Sequence, residues 1–185
     1  MRPRVASAGL VCALLVVVVA LLILGCGGSA ERFSGARALP PDFELAQGTL
    51  ASFAHPRTWT TARDSFRTVR ILTARAPGEV GATTPNVELV EDPRVEDSFD
   101  RIVAARRAAR SRTGEKRAEA REDVDVPGAE RAVLYRGEVI FGGVRYDSFD
   151  LSILVDGGTG VFFSGAVPGD GDADAILDSL RLRDG

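Results

Sequence analysis

Residues 132–167 read AVLYRGEVIFGGVRYDSFDLSILVDGGTGVFFSGAV. Two glycine pairs, Gly142-Gly143 and Gly157-Gly158, divide this stretch into three runs rich in β-branched and aromatic residues. Glycine is the residue that adopts positive φ at least cost, so the pairs read as tight turns. The runs then read as strands over Ala132–Phe141, Val144–Val155 and Gly160–Val167. In the middle run Phe149, Leu151, Ile153 and Val155 fall on one face, and Asp150 and Ser152 on the other. That alternation is the mark of a half-buried antiparallel sheet.

Upstream, three shorter runs carry the same signal. Thr49–His55 alternates through Leu50 and Phe53 and stops at Pro56. Phe66–Ala74 holds Val69, Ile71 and Leu72, and Asn86–Val90 is closed by Asp92-Pro93. The spacing of Phe99, Ile102, Val103 and Ala109 predicts a helix over about 97–112. Asp97 or Ser98 caps its start and Gly114 ends it. Val124–Val126 reads as a short strand before Pro127-Gly128. Ala173, Ile176, Leu177 and Leu180 follow the i, i+3, i+4, i+7 pattern of a closing helix over about 173–182. Asp170, Asp172 and Asp174 crowd its first turn, where carboxylates cap amides and meet the positive end of the dipole.

The amino terminus has a different character. Arg2 and Arg4 precede Ala6–Gly25, an uncharged apolar stretch, and Cys26 follows directly. This is the layout of a secretory signal. Ile23-Leu24-Gly25-Cys26 resembles a bacterial lipobox. The resemblance implies cleavage between Gly25 and Cys26 and lipidation of the Cys26 thiol. The competing reading is an uncleaved anchor, since about 20 apolar residues span a bilayer. Either way the rest of the chain is expected outside the cytoplasm, because positive charge stays inside. Residues 1–25 are read as a lipoprotein signal peptide. Residues 26–41, with Gly27, Gly28, Gly35, Pro40 and Pro41, read as a flexible tether, and residues 42–185 as one domain.

Removing the signal changes the charge. Without Arg2 and Arg4 the 23 basic residues become 21 against 26 acidic, a net charge of −5. That balance excludes a basic nucleic-acid-binding domain. The two cysteines, Cys12 in the signal and Cys26 at its end, leave the domain without a disulfide or a zinc-ribbon pattern. One asymmetry stands out: residues 101–121 hold eight basic side chains against two acidic ones. Arg106, Arg107 and Arg110 are the candidates for contact with an anionic surface, either lipid headgroups or an acidic partner. A solvated helix face accounts for the same pattern.

Other candidate chemistry is thin. His55 is the only histidine, and no G-x-S-x-G elbow accompanies it. An EF-hand loop starting at Asp170 would need Gly and Glu where Ala175 and Arg181 stand, so the acidic cluster reads as a helix cap. Gly157-Gly158-Thr159-Gly160 lacks the Lys and following helix of a phosphate loop. Phe53, Trp59, Phe149, Phe162 and Phe163 either line a ligand groove or form a core; a core is the default. No catalytic residue, metal or cofactor is expected.

The element order and the run Leu50–Trp59, LASFAHPRTW, resemble PsbP-like and LpqN-type domains. The resemblance covers residues 43–183. It implies an α+β fold in which a central antiparallel sheet is flanked by helices, an α/β/α sandwich. It also implies an exported lipoprotein that binds or assembles rather than catalyses. The expected function is therefore a lipid-anchored, non-enzymatic envelope protein that binds a partner or ligand at the outer face of the membrane. The alternatives are an envelope carrier of an apolar ligand and a hydrolase of envelope polymers.

Overall fold

The computed structural model describes residues 32–33, 38–78, 84–95, 98–110, 115–155, 158–169 and 172–183, with backbone alone at 110 and 115–118. Gly25, Cys26 and Asp170, together with the helix-boundary residues Asp97, Arg112 and Gly114, lie outside them.

The meander legible in residues 132–167 forms as β7 (Ala129–Phe141), β8 (Val144–Val155) and β9 (Thr159–Pro168). Gly142 and Gly143 turn the first hairpin with φ of 55° and 82°, and Phe141 pairs with Val144 across them. Two positive φ values in a two-residue loop match the right-handed twist of the flanking strands. This meander fills the fourth to sixth positions of a seven-stranded antiparallel sheet of order β3-β4-β5-β9-β8-β7-β6. The other members are β3 (Thr60–Phe66), β4 (Val69–Arg75), β5 (Asn86–Asp92) and β6 (Glu115–Asp123).

A second sheet of three strands has the order β1-β2-β10, from β1 (Phe43–Gln47), β2 (Ala51–Pro56) and β10 (Arg181–Leu182). Two helices complete the described elements: α1 (Phe99–Arg110) and α2 (Asp172–Asp178).

The expected α/β/α sandwich is therefore corrected. The described fold is mostly strand and contains two antiparallel sheets rather than one sheet flanked by helices. The physical reason lies in β2. Its burial leaves no residue exposed, and Phe53 and Ala54 are both fully covered. Both of its edges are filled, by β1 and by β10, so it shares no ladder with the seven-stranded sheet and lies across one face of it. Helix α2 packs beside it on β2, β8 and β9.

The main core fills the space between these layers. Leu89, Leu134, Leu151, Ile153 and Phe163 from the large sheet meet Phe53, Ile176, Leu177 and Leu180, all fully or almost fully buried. A smaller core of Val90, Val95, Phe99, Val103, Leu154 and Phe162 lies under α1 on the opposite face. Arg32 and Phe33 also belong to the domain. Phe33 is 1% exposed and sits in the main core, and Arg32 Nε lies 3.1 Å from Asp178 Oδ1.

Several element boundaries differ from the sequence reading. The run expected over Phe66–Ala74 is broken by the turn Arg67-Thr68, with Arg67 at φ 57°, and β3 precedes it. Residues 124–126 are not strand. The closing helix stops at Asp178, because Ser179 turns the chain. Its Oγ donates to the Ile176 carbonyl at 2.6 Å and accepts from the Ala54 amide at 2.7 Å. Residues 181–182 then join β2 as a strand, with Arg181 opposite Ser52.

Candidate functional site

The charged helix α1 is seated on the outer face of the large sheet by Phe99 and Val103, both buried, and by the half-buried Ile102. Phe99 stacks against Phe162 of β9 at a centroid distance of 6.3 Å. Ala109, expected on the same stripe, is exposed. Its place is taken by Arg106, seven residues after Phe99 and so on the same face two turns on. The Arg106 guanidinium lies 4.9 Å from the Phe162 ring centroid, with Nε 3.9 Å from Asp150 Oδ1. Asp150 and Ser152, read from sequence as the polar face of β8, are covered here, at 7% and 1% exposure.

A carboxylate on a covered sheet face needs a cation close by, and removing one member of such a pair strands the other. Asp150→Ala should therefore lower stability by about 2 kcal/mol or more, while Asp123→Ala, whose pair with Arg121 is exposed, should change it by less than about 0.5 kcal/mol. Paired urea melts read the difference. Equal effects at the two sites would remove Arg106 and Asp150 from the account of how α1 is held.

Between α1 and strands β6 and β7 runs an open groove of about 510 Å³. Its floor is Val103, Val133 and Tyr135, and its rim alternates in charge. Arg107 lies 4.8 Å from the Tyr135 ring centroid and donates from Nε to Glu119 at 3.2 Å. Arg121 forms a two-pronged pair with Asp123, and Arg131 pairs with Asp100 at 2.8 Å. The hydrogen bonds that Arg121 donates to Asp123 hold its guanidinium pKa above the ordinary value, and the bond Arg131 donates to Asp100 does the same there. These arginines stay cationic at any working pH.

The three arginines singled out from sequence are thus placed differently. Arg106 is turned into the sheet, Arg107 lies on the groove rim, and the Arg110 side chain is outside the described set. The groove offers planar cations, an aromatic face and carboxylates, the equipment for binding a polar or charged chain segment.

The other sequence candidates fall in the interior. Phe163 lies 5.0 Å from Phe53 and 5.2 Å from Phe149, ring to ring, and Trp59 and Phe162 are also buried. These aromatics pack against one another as core. His55 is 1% exposed; its Nδ1–H donates to the Pro56 carbonyl at 2.9 Å, and Nε2 is 3.9 Å from Glu44 Oε1. A carbonyl only accepts, so the neutral ring carries its proton on Nδ1. At the start of α2, Asp174 pairs with Arg136. Among the described residues no group of three His, Cys, Asp or Glu side chains is arranged to hold a metal.

A buried charge on β5 also escaped the sequence reading. Glu91 of β5 is 3% exposed and accepts three successive backbone N–H groups: Thr49 at 3.1 Å, Leu50 at 2.7 Å and Ala51 at 3.2 Å. It ties the turn between β1 and β2 to the large sheet. Gly48 makes room, since a Cβ there would meet Glu91 Oε1 at 2.5 Å. The available signal was parity: Glu91 follows Val87 and Leu89 on the same inward face of an alternating strand.

No family model matches the chain, and no curated protein does. Among solved structures the chain is similar to a Pseudomonas aeruginosa protein of unknown function. The two are 16% identical over 69% of this chain and 85% of that one, with a TM-score of 0.36.

Proposed function

We propose that the protein is a lipid-anchored, non-enzymatic envelope protein that binds a partner at the outer face of the membrane. The observation that carries this reading is the run Ile23-Leu24-Gly25-Cys26 at the end of an uncharged apolar stretch, joined to a folded domain by a short connection. Lipid on Cys26 holds the domain at a membrane, and two or more acyl chains make the attachment stable. Among the described residues no helix is long and apolar enough to cross a membrane.

The interior bears on the hydrolase alternative. A Ser-His hydrolase needs its imidazole at a substrate cleft. The single imidazole here is buried and bonded to backbone. We place the binding surface at the groove beside α1, whose alternating charges suit a mixed-charge segment of a protein partner.

Labelled palmitate should appear on the wild-type chain in its bacterial host and vanish in Cys26→Ala. Label that persists in the variant would overturn the lipobox reading, as would its absence from the wild type.

A further inference from the structure

We infer that the anchor fixes the orientation of the domain: the side carrying α2 and the three-stranded sheet faces the bilayer, and the α1 groove points away from it. The inference rests on the proposed lipidation of Cys26. It goes further because Phe33 is not part of a free tether. Phe33 is buried in the main core, and Arg32 is held by Asp178 at the end of α2. Only residues 27–31 separate Cys26 from this attachment. Six residue steps span at most about 20 Å when fully extended.

That length decides which faces reach the headgroups. Packed layers lie about 10 Å apart, so α1 stands roughly 20 Å from the layer of α2 and the small sheet. A helix adds about 5 Å of radius. For α1 to rest on the bilayer, Arg32 would sit roughly 25 Å above it, and the chain would also have to pass round the sheet edge. The connection is too short for both.

The α2 side is suited to lie against lipid. Leu39 is 39% exposed and shares a small hollow with Ala175 and Asp178, and Leu45 of β1 is 52% exposed. Asp178 and Asp174 are paired with Arg32 and Arg136, which offsets two of the three carboxylates of the helix. The occupant of this side is the membrane surface itself, and the arginine rim of the groove is left to a partner arriving from outside.

The test uses the full-length lipidated protein in phosphatidylethanolamine–phosphatidylglycerol vesicles carrying a nitroxide on the headgroup. When Cys26 carries lipid through its sulfur, an introduced cysteine is the only free thiol in the mature chain. A fluorophore is placed on Leu39→Cys or on Ala105→Cys, both exposed positions. Quenching at 39 should exceed quenching at 105 by about threefold or more, because the positions differ in height by about two layers. Equal quenching, or stronger quenching at 105, overturns the orientation and leaves the lipidation intact. Failure of the protein to float with vesicles removes the anchor, and the orientation falls with it.

Discussion

Glu91→Ala should lower the stability of the domain by roughly 3–5 kcal/mol, with a fall in Tm on the order of 10 °C. The carboxylate accepts three successive amides, those of Thr49, Leu50 and Ala51. Alanine leaves the buried Ala51 amide without its acceptor and takes the acceptor from the part-buried Thr49 and Leu50 amides. Each stranded donor costs about 1–3 kcal/mol, less whatever relaxation recovers. Glu91→Gln sharpens the expectation. Leu50 and Ala51 both donate to Oε1, and Thr49 donates to Oε2. The amide keeps one acceptor but sets its NH2 group against one donor, so the loss should be smaller, about 1–3 kcal/mol. Urea unfolding measures both. A change below about 1 kcal/mol in the alanine variant would show that the turn holds its place without Glu91.

Phe163→Ala should cost about 3–5 kcal/mol for a different reason. Phe163 is fully buried where the two sheets meet, with its ring between those of Phe53 and Phe149. Truncation removes apolar contact and leaves a cavity that backbone on both sides cannot collapse into. A midpoint shift at unchanged denaturant slope is the expected form of the result. Phe66→Ala is the natural control, because Phe66 is 66% exposed at the tip of the β3–β4 hairpin. It should change stability by no more than about 0.5 kcal/mol. Similar losses at the two positions would mean that the aromatic cluster is not the centre of the core.

How much of this was legible in the sequence depends on whether the signal was local. The meander β7–β9 was legible because glycine pairs punctuate its sequence and its residues alternate. The starts of α1 and α2 were legible from their spacing. What failed was pairing and cover. β3, TTARDSF, is an edge strand exposed at all seven positions, so no apolar alternation marks it. β6, EKRAEARED, lies at the other edge and reads as a charged segment. β1 buries only Phe43 and Ala46, a spacing of three that the strand template does not contain. The second sheet was hidden because β10 is two residues long and is defined by a partner some 130 positions earlier.

The candidate site shows the same division. The arginine cluster was visible as a charge run, but charge patterning does not say which cations turn inward. Arg106 was readable only by continuing the Phe99–Val103 stripe through a residue type that the apolar template rejects. Asp150 looked solvated because the sequence does not show that a helix covers that face of β8. Glu91 was the clearest missed signal, a carboxylate at the core parity of a strand.

The pairing of Arg181–Leu182 with Ala51–Ser52 bears on how the chain reaches its native state. The meander is built from neighbouring segments and closes small loops, so it can form early. The small sheet cannot. Its central strand emerges among the first segments of the domain and waits for a strand more than a hundred residues later, and loop closure of that span delays the pairing. Until residues 181–182 arrive, β2 has one open edge and Phe53 lacks its full cover. Folding is therefore completed only after the whole domain is available, and a chain stalled before that point presents an unpaired apolar strand to its surroundings.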